Sequence, residues 1–462
     1  MQRILAIAWL TWKAALRFKL FLVIAALLLA AVVGLPLMIK DDGTARGFTQ
    51  IILTYTLSVI TGLLGFSTLW LSCGTLARDI EECQIQVIAT KPIARWQIWI
   101  GKWLGIMSLN LVLLALAGGF VFGLLQWRAG KLPAEEQKIL REQVLVARGS
   151  AKQPVDTAFI ESETQRILEG RLKSSAVEKV NVNEVKRQIR EGVKGDLQLV
   201  PPGYGRTWKI DLGFAKTYLA GKPLQLRVKF NAAQKSASGT FMALWQVGVP
   251  EKTKFWRTEE PMSLAPDTFH EFEIPADLFD ADGKLTITFA NPNQTALLFP
   301  LDEGMEVLYP EGGFALNFAR GLGIIFCWMA LLAALGLMAA SFLSFPVATF
   351  FALALMIVGL SSGTLANSVE SGSVAAGDEE AGTAGYSPVD FVLIPAFKAV
   401  LGVVQLVESF SPIDSLSSGR SITWGELGAA FAQIVVLIGG AFALLGIIFF
   451  NRRELATAQG TQ

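Results

Sequence analysis

RDIEECQIQVIATKPIARWQIWIGK, residues Arg78–Lys102, is a charged and amphipathic stretch wedged between two long apolar runs. Apolar runs alone place a chain in a membrane; a charged connection of this kind between two of them is a surface on which a soluble partner can push. Leu76, Ile80, Cys83 and Val87 recur at spacings of four, three and four, which sets them on one helical face and leaves Asp79, Glu81, Glu82 and Gln86 off it. Lys91-Pro92 then turns the chain, Arg95 and Trp96 suit the headgroup level, and Gly101-Lys102 opens the next apolar run.

Working outward, hydrophobic residues make up 52% of the 462 residues and charged residues 17%, too apolar for an ordinary soluble protein. The formal net charge of +1 gives no global basic field for nucleic acid, so nucleic acid is not an expected partner. The three cysteines, Cys73, Cys83 and Cys327, lie in or beside apolar runs, so neither a disulfide framework nor a cysteine metal site is expected.

A charge-free run of about 18 residues or more crosses roughly 30 Å of hydrocarbon. Such runs are Leu20–Ile39, Arg46 to Arg78, Lys102 to Arg128, and Glu426 to Arg452. A fifth, from Arg320 to Glu370, is roughly 49 residues long and would measure about 74 Å as one helix. It must fold back, and Ser341-Phe-Leu-Ser-Phe-Pro346 supplies the break, because Pro346 suits the first turn of a new helix and disfavours helix in Phe345. About six spans are expected.

Arg3, Lys13, Arg17 and Lys19 precede the first span, Arg78, Lys91, Arg95 and Lys102 fill the second connection, and Arg452-Arg453 follow the last. Six crossings put all three basic segments on one side, which the positive-inside rule makes cytoplasmic, with both termini. Met1–Lys19 does not read as a signal-peptide head, because the apolar run behind it continues to Ile39 without a cleavage site. Ile4, Trp9, Trp12 and Leu16 instead mark one face of an interfacial helix. The apolar segment 391–408 holds Lys398 near its middle and reads as re-entrant or interfacial.

Residues 128–314 are polar and contain no span. Glu135–Arg148, Asp156–Glu169 and Ala176–Glu191 read as helices punctuated by Gly149, Gly170 and Gly192, a helical part over 130–195. After Pro201-Pro202-Gly203 the period changes to two. Leu224–Phe230 and Phe241–Val247 read as strands, followed by one from Phe272–Ile274 and one at Leu285–Phe289 behind the turn Asp282-Gly283. This spacing predicts a β-sandwich over 204–311, similar to jelly-roll modules. Trp208, Trp245, Phe255 and Trp256 offer an aromatic platform for a sugar or peptide, with core packing as the competing reading; the parity of Trp245 points inward, and Trp256, between Lys254 and Arg257, is the ligand-binding candidate. His270 is the only histidine, so no multi-histidine metal site or zinc-protease helix is available, and it reads as a solvated strand residue.

The stretch 78–102 resembles the first cytoplasmic loop of ABC-2 type transporter permeases. In that family an acidic pair, a Lys-Pro turn, an Arg and a Gly-Lys recur in this order, matched here by Glu81-Glu82, Lys91-Pro92, Arg95 and Gly101-Lys102. An interfacial N-terminal helix, six spans, a re-entrant segment before the last and the closing Arg452-Arg453-Glu454 fit the same family over about residues 1–127 and 315–455. The departure is an insertion of roughly 190 residues between the third and fourth spans. The resemblance implies an α-helical integral membrane protein of about six transmembrane helices with an inserted α+β extracytoplasmic domain. It also implies the bacterial inner membrane, a homodimer or a pseudo-dimer with a related permease, and a separate cytosolic ABC ATPase subunit docked through Asp79, Glu81, Glu82, Lys91, Pro92 and Arg95. The chain has neither GxxxxGK[ST] nor G-x-S-x-G, so ATP hydrolysis is expected from the partner and no cofactor in this chain. Three functions remain open: an exporter subunit, a mechanotransmitter that moves its outer domain to control a partner, and a membrane-anchored receptor.

Overall fold

The computed structural model describes residues 2–17, 19–38, 44–82, 93–174, 182–213, 216–234, 236, 238–250, 252–360, 395, 397, 398, 401, 402, 404–407 and 409–453. The main helices along the chain are α1 (Gln2–Arg17), α2 (Lys19–Met38), α3 (Ala45–Glu81), α4 (Arg95–Ala129), α5 (Ala134–Gln143), α6 (Thr157–Ser174), α7 (Val182–Gln198), α8 (Phe314–Phe342), α9 (Phe345–Leu360), α10 (Pro412–Ser417) and α11 (Trp424–Arg452, π-helical over Phe431–Gly439). Two units form: Met1–Ala147 with Gly312–Gln462, and Arg148–Glu311.

In the first unit α3, α4, α8 and α11 are each long and apolar enough to cross a membrane, and the pair Gln2–Arg17 and Phe21–Pro36, bent by 76°, makes a fifth if counted as one span. The fifth apolar run breaks where Pro346 marks it: α8 ends at Phe342, Leu343 is extended, and α9 starts again. The new helix includes Phe345 itself, one residue earlier than the proline rule suggests, because a carboxylate takes the Phe345 N–H. The apolar segment 391–408 lies mainly outside the described residues.

Glycine sets how closely these helices approach. A Cβ on Gly101 would stand 2.8 Å from Cβ of Ile7, and one on Gly105 would stand 2.7 Å from Cβ of Thr11 and 2.8 Å from the Ala8 carbonyl oxygen. Separated by one turn, the pair forms the small-xxx-small face that lets α1 lie directly on α4. Gly105→Leu is therefore expected to lift α1 off the bundle, an overpacking cost of about 1–3 kcal/mol or more, read as a lower unfolding temperature in detergent together with faster trypsin cleavage after Lys13 and Arg17. Two buried asparagines tie elements of the bundle together: Asn110 Nδ2 donates to Thr68 Oγ1 at 2.8 Å, and Asn317 donates to the Arg420 carbonyl and accepts from Ile422 N–H, both at 2.7 Å.

The second unit holds α6 and α7, which pack through Ile160, Leu168, Ile189 and Val193, and most of the strands among the described residues: β1 (Val146–Ala151), β2 (Leu199–Val200), β3 (Gly205–Asp211), β4 (Leu224–Val228), β5 (Asn231–Ala232), β6 (Phe241–Val247), β7 (Trp256–Arg257), β8 (Met262–Leu264), β9 (His270–Ile274), β10 (Lys284–Ala290), β11 (Leu297–Leu298) and β12 (Met305–Gly313). Sheet orders are β1-β12-β4-β9, β3-β10-β6-β7 with β8 beside β6, and β2-β11-β5. Leu224, Leu226, Val228 and Val307 from the first sheet share one core with Trp208, Trp245, Ile287 and Phe289 from the second. The two sheets therefore enclose a sandwich core, with Trp245 and Phe289 rings 4.9 Å apart inside it.

The other face of the first sheet buries charge. Glu306 pairs in register with Arg227, and Arg227 with Glu271. Arg148 meets Glu271 at 2.9 Å, Arg227 meets Glu306 at 3.3 Å, and Ser150 donates to Glu306 at 2.7 Å. Arg148, Glu271 and Glu306 side chains are 3%, 2% and 1% exposed, so two arginines and two glutamates neutralise one another away from water.

Three local expectations change. The helix expected over Glu135–Arg148 stops at Gln143, and Val146–Ala151 becomes a strand, with Gly149 leaving the room that the Tyr309 ring fills. The helix expected to stop at Glu169 runs through Gly170 to Ser174, and α7 continues past Gly192 to Gln198: a glycine costs a helix only about 1 kcal/mol, less than the packing of Leu168 and Val193 returns. The outer domain expected over 128–314 narrows to the compact unit 148–311, because α5 packs with the bundle through Leu140.

Candidate functional site

Of the residues nominated in 78–102, Lys91 and Pro92 lie outside the described residues. The others collect where five helix ends of the first unit meet. A helix leaves its last carbonyls and first N–H groups without partners, and charged side chains satisfy them best.

Arg95, half-buried at the start of α4, donates from Nη1 to the carbonyls of Phe450, Asn451 and Arg453 at 2.6, 2.9 and 2.9 Å, closing the C-terminus of α11. Arg453 performs the same service for α8, with Nη1 donating to the carbonyls of Ala340, Ser341 and Leu343 at 3.3, 3.3 and 3.4 Å. Glu81 Oε1 accepts the Phe345 N–H at 2.7 Å and so caps the N-terminus of α9. The Arg78 guanidinium lies 4.3 Å over the Phe345 ring. Burial draws the Arg453 guanidinium below its usual pKa, and the Glu81 carboxylate opposes that shift.

One turn deeper, Lys102 is 5% exposed and its Nζ donates to Asp79 Oδ2 at 2.5 Å and to the Thr75 carbonyl at 2.6 Å, tying α3 to α4. Glu82 is exposed at the end of α3. The flanks of the 83–92 connection thus hold the ends of α9 and α11, and Arg453 behind α11 holds the end of α8.

Sequence reasoning nominated Asp79, Glu81 and Arg95 for an external contact, whereas the structure engages all three within the chain. The partners it missed are Lys102 and Arg453. Both stood in quoted motifs, but nothing in spacing joins Arg95 to carbonyls more than 350 positions away.

In the second unit Trp208 and Trp245 are 5% and 1% exposed, so the four-ring platform does not exist. Trp256 is half-buried on β7 opposite Val247, stacked with the Phe272 ring at 6.3 Å. Phe255 beside it is exposed. His270 is half-buried rather than solvated: its Nε2 lies 2.7 Å from the Ala265 carbonyl oxygen and 3.0 Å from Thr268 Oγ1. Among the described residues no group of three or more His, Cys, Asp or Glu is placed to hold a metal ion.

No family model, no curated protein and no solved structure matches this chain.

Proposed function

We propose that this chain is the permease subunit of an ATP-driven exporter of the ABC-2 type, which dimerises and couples to a separate cytosolic ATPase. One observation carries the reading: the connection that resembles a coupling loop is flanked by Asp79, Glu81, Arg95 and Lys102, which join the ends of α3, α4, α9 and α11, while Arg453, just past the end of α11 that Arg95 holds, caps α8. A push on residues 83–92 is then delivered to the bundle as a whole. Docking falls to Glu82 and to the connection itself, with Lys91 and Pro92. Asp79, Glu81 and Arg95 transmit.

Six spans follow if α2 and α9 both cross, each being apolar along its length. Trp96 and Trp127, both exposed, stand at the two ends of α4, roughly 46 Å apart at 1.5 Å per residue; a bilayer with its headgroups measures about 40–45 Å. In this reading the protein sits in a bacterial inner membrane with both termini cytoplasmic, the unit 148–311 lies outside as a jelly-roll-like sandwich, and ATP is hydrolysed by the partner. Co-purification of an ATPase tests the assembly.

A second reading is favoured by the separate core of 148–311: a mechanotransmitter that moves this unit to control a partner. Replacing 148–311 by a short Gly-Ser linker separates the two. Retained ATP-dependent efflux of an amphiphilic dye is expected of an exporter; lost control of the partner, in a complex that never transported the dye even when intact, is the mechanotransmitter's result.

A further inference from the structure

Lys102, Arg148 and Arg227 are buried cations, and each faces a carboxylate: Asp79 at 2.5 Å, Glu271 at 2.9 Å and Glu306 at 3.3 Å. Arg320, in the second turn of α8 and 8% exposed, does not. No carboxylate of a described residue pairs with it. Glu426, two positions past Trp424, is spent on the Thr423 N–H at 2.8 Å, and Asp414 of α10 accepts from Ser411 Oγ at 2.6 Å. Of the five N–H donors on a guanidinium, only Nε meets an acceptor among the described residues, the Leu316 carbonyl at 3.4 Å. The remaining contact is the Trp424 ring, whose centre lies 5.6 Å from Cζ. A cation held this way within an apolar helix is costly unless an anion joins it.

Where that anion comes from follows from the surroundings. Side chains of a helix lean toward its N-terminus, and the bond from Nε back to residue 316 shows Arg320 doing so. The guanidinium is thereby carried toward the end of the bundle where α8 and α11 both begin, the end that Asn317 ties to Arg420 and Ile422. Trp424, the first residue of α11, is 63% exposed there, and Leu316 is 51% exposed. Phe431, seven positions past Trp424 and so on the same helical face, is 54% exposed. An exposed tryptophan at the end of a span marks headgroup depth, and the planar fork of an arginine beside it fits two oxygens of one phosphate. We propose that Arg320 and Trp424 form a binding site for the phosphodiester headgroup of a phospholipid, whose chains run along the apolar surface of Leu316 and Phe431. A soluble anion has no such surface to gain. The proposal rests on α8 and α11 crossing a membrane, and not on transport or an ATPase.

The test uses the full chain, delipidated in dodecyl maltoside and titrated with phosphatidylglycerol or, separately, with diacylglycerol of the same chains; native mass spectrometry counts the bound molecules. The wild type is expected to hold one phosphatidylglycerol on the order of tenfold more tightly than diacylglycerol, the worth of a charge-assisted hydrogen-bond pair. Arg320→Gln is expected to lose that molecule, and Arg320→Lys, which keeps the charge without the fork, to hold it more weakly than the wild type. A photoactivatable phosphatidylglycerol on the wild-type chain guards against a folding defect in the variants, and its crosslinks are expected in the peptides that contain Leu316 and Trp424. No preference over diacylglycerol in the wild type, an unchanged preference in Arg320→Gln, or crosslinks confined to other peptides overturns the proposal and leaves the membrane reading intact. Displacement of the lipid by millimolar glycerol 3-phosphate makes this a site for a soluble phosphate and overturns the lipid assignment. A chain that stays in solution without detergent overturns the membrane reading as well.

Discussion

Glu271→Ala is expected to unfold the 148–311 unit at a markedly lower temperature than the wild type. Its carboxylate is the one that faces both Arg148, at 2.9 Å, and Arg227, at 3.6 Å, and its side chain is 2% exposed. Removing it takes the carboxylate from beside the buried Arg148 and leaves Glu306 to face Arg227 at 3.3 Å and Lys152 at 4.0 Å, so that positive charge is in excess where the Arg148 and Glu306 side chains are 3% and 1% exposed. Breaking a buried pair from one side costs about 3–5 kcal/mol, which for a unit of this size is a shift on the order of 10 °C. Removing the charges in balance has a different outcome. Arg148→Met with Glu271→Leu leaves Arg227 and Glu306 paired at 3.3 Å and recovers most of the loss. Scanning calorimetry of the full chain, with proteolysis to assign the transition to 148–311, measures both. A Glu271→Ala protein that melts with the wild type would show that these charges reach solvent.

If the chain couples to an ATPase as proposed, Arg95→Ala is expected to uncouple it without detaching that subunit. One guanidinium nitrogen donates to three terminal carbonyls of α11, and charge-assisted hydrogen bonds are worth about 1.5–3 kcal/mol each at most. With the grip gone, the end of α11 frays and Arg453, two residues past Asn451, loses its hold on α8. The expected result is ATPase co-purification as in the wild type, with ATP-dependent efflux reduced at least tenfold. Arg95→Lys rescues partially, because an ammonium lacks the planar fork that reaches several carbonyls from a fixed position. If Arg95→Ala instead loses the ATPase, Arg95 is a docking residue and the division between transmission and docking is wrong.

Much of the fold could be read from composition and period. The Pro346 break stands out because no helix of that length fits a bilayer, and β4, β6 and β10 stand out because their apolar residues alternate cleanly around a core that both sheets share. Residues Val146–Ala151 were illegible for the opposite reason. Their local sequence continues a helix-forming run, and the strand exists only because β12, more than 150 positions later, offers it a ladder. The junction was half legible. Apart from Arg453, its residues appear in the ordered motifs of 78–102, but the side chains read as outward-facing, since a sequence does not show which helix terminus will arrive beside Glu81 or Arg95. No alternation of apolar residues marks Trp256 between Lys254 and Arg257, yet β6 captures it in an edge strand and the Phe272 ring stacks against it.

The central claim is that this chain is driven by a separate ATPase. Affinity purification of the tagged full-length protein from its native membrane in mild detergent, followed by mass spectrometry, tests it most directly. A protein carrying the Walker phosphate-binding motif, recovered in a ratio near one to one, is the predicted result. Its reproducible absence, with the tagged chain intact and folded, would contradict the account and make the 148–311 unit, acting as a receptor, the centre of the function.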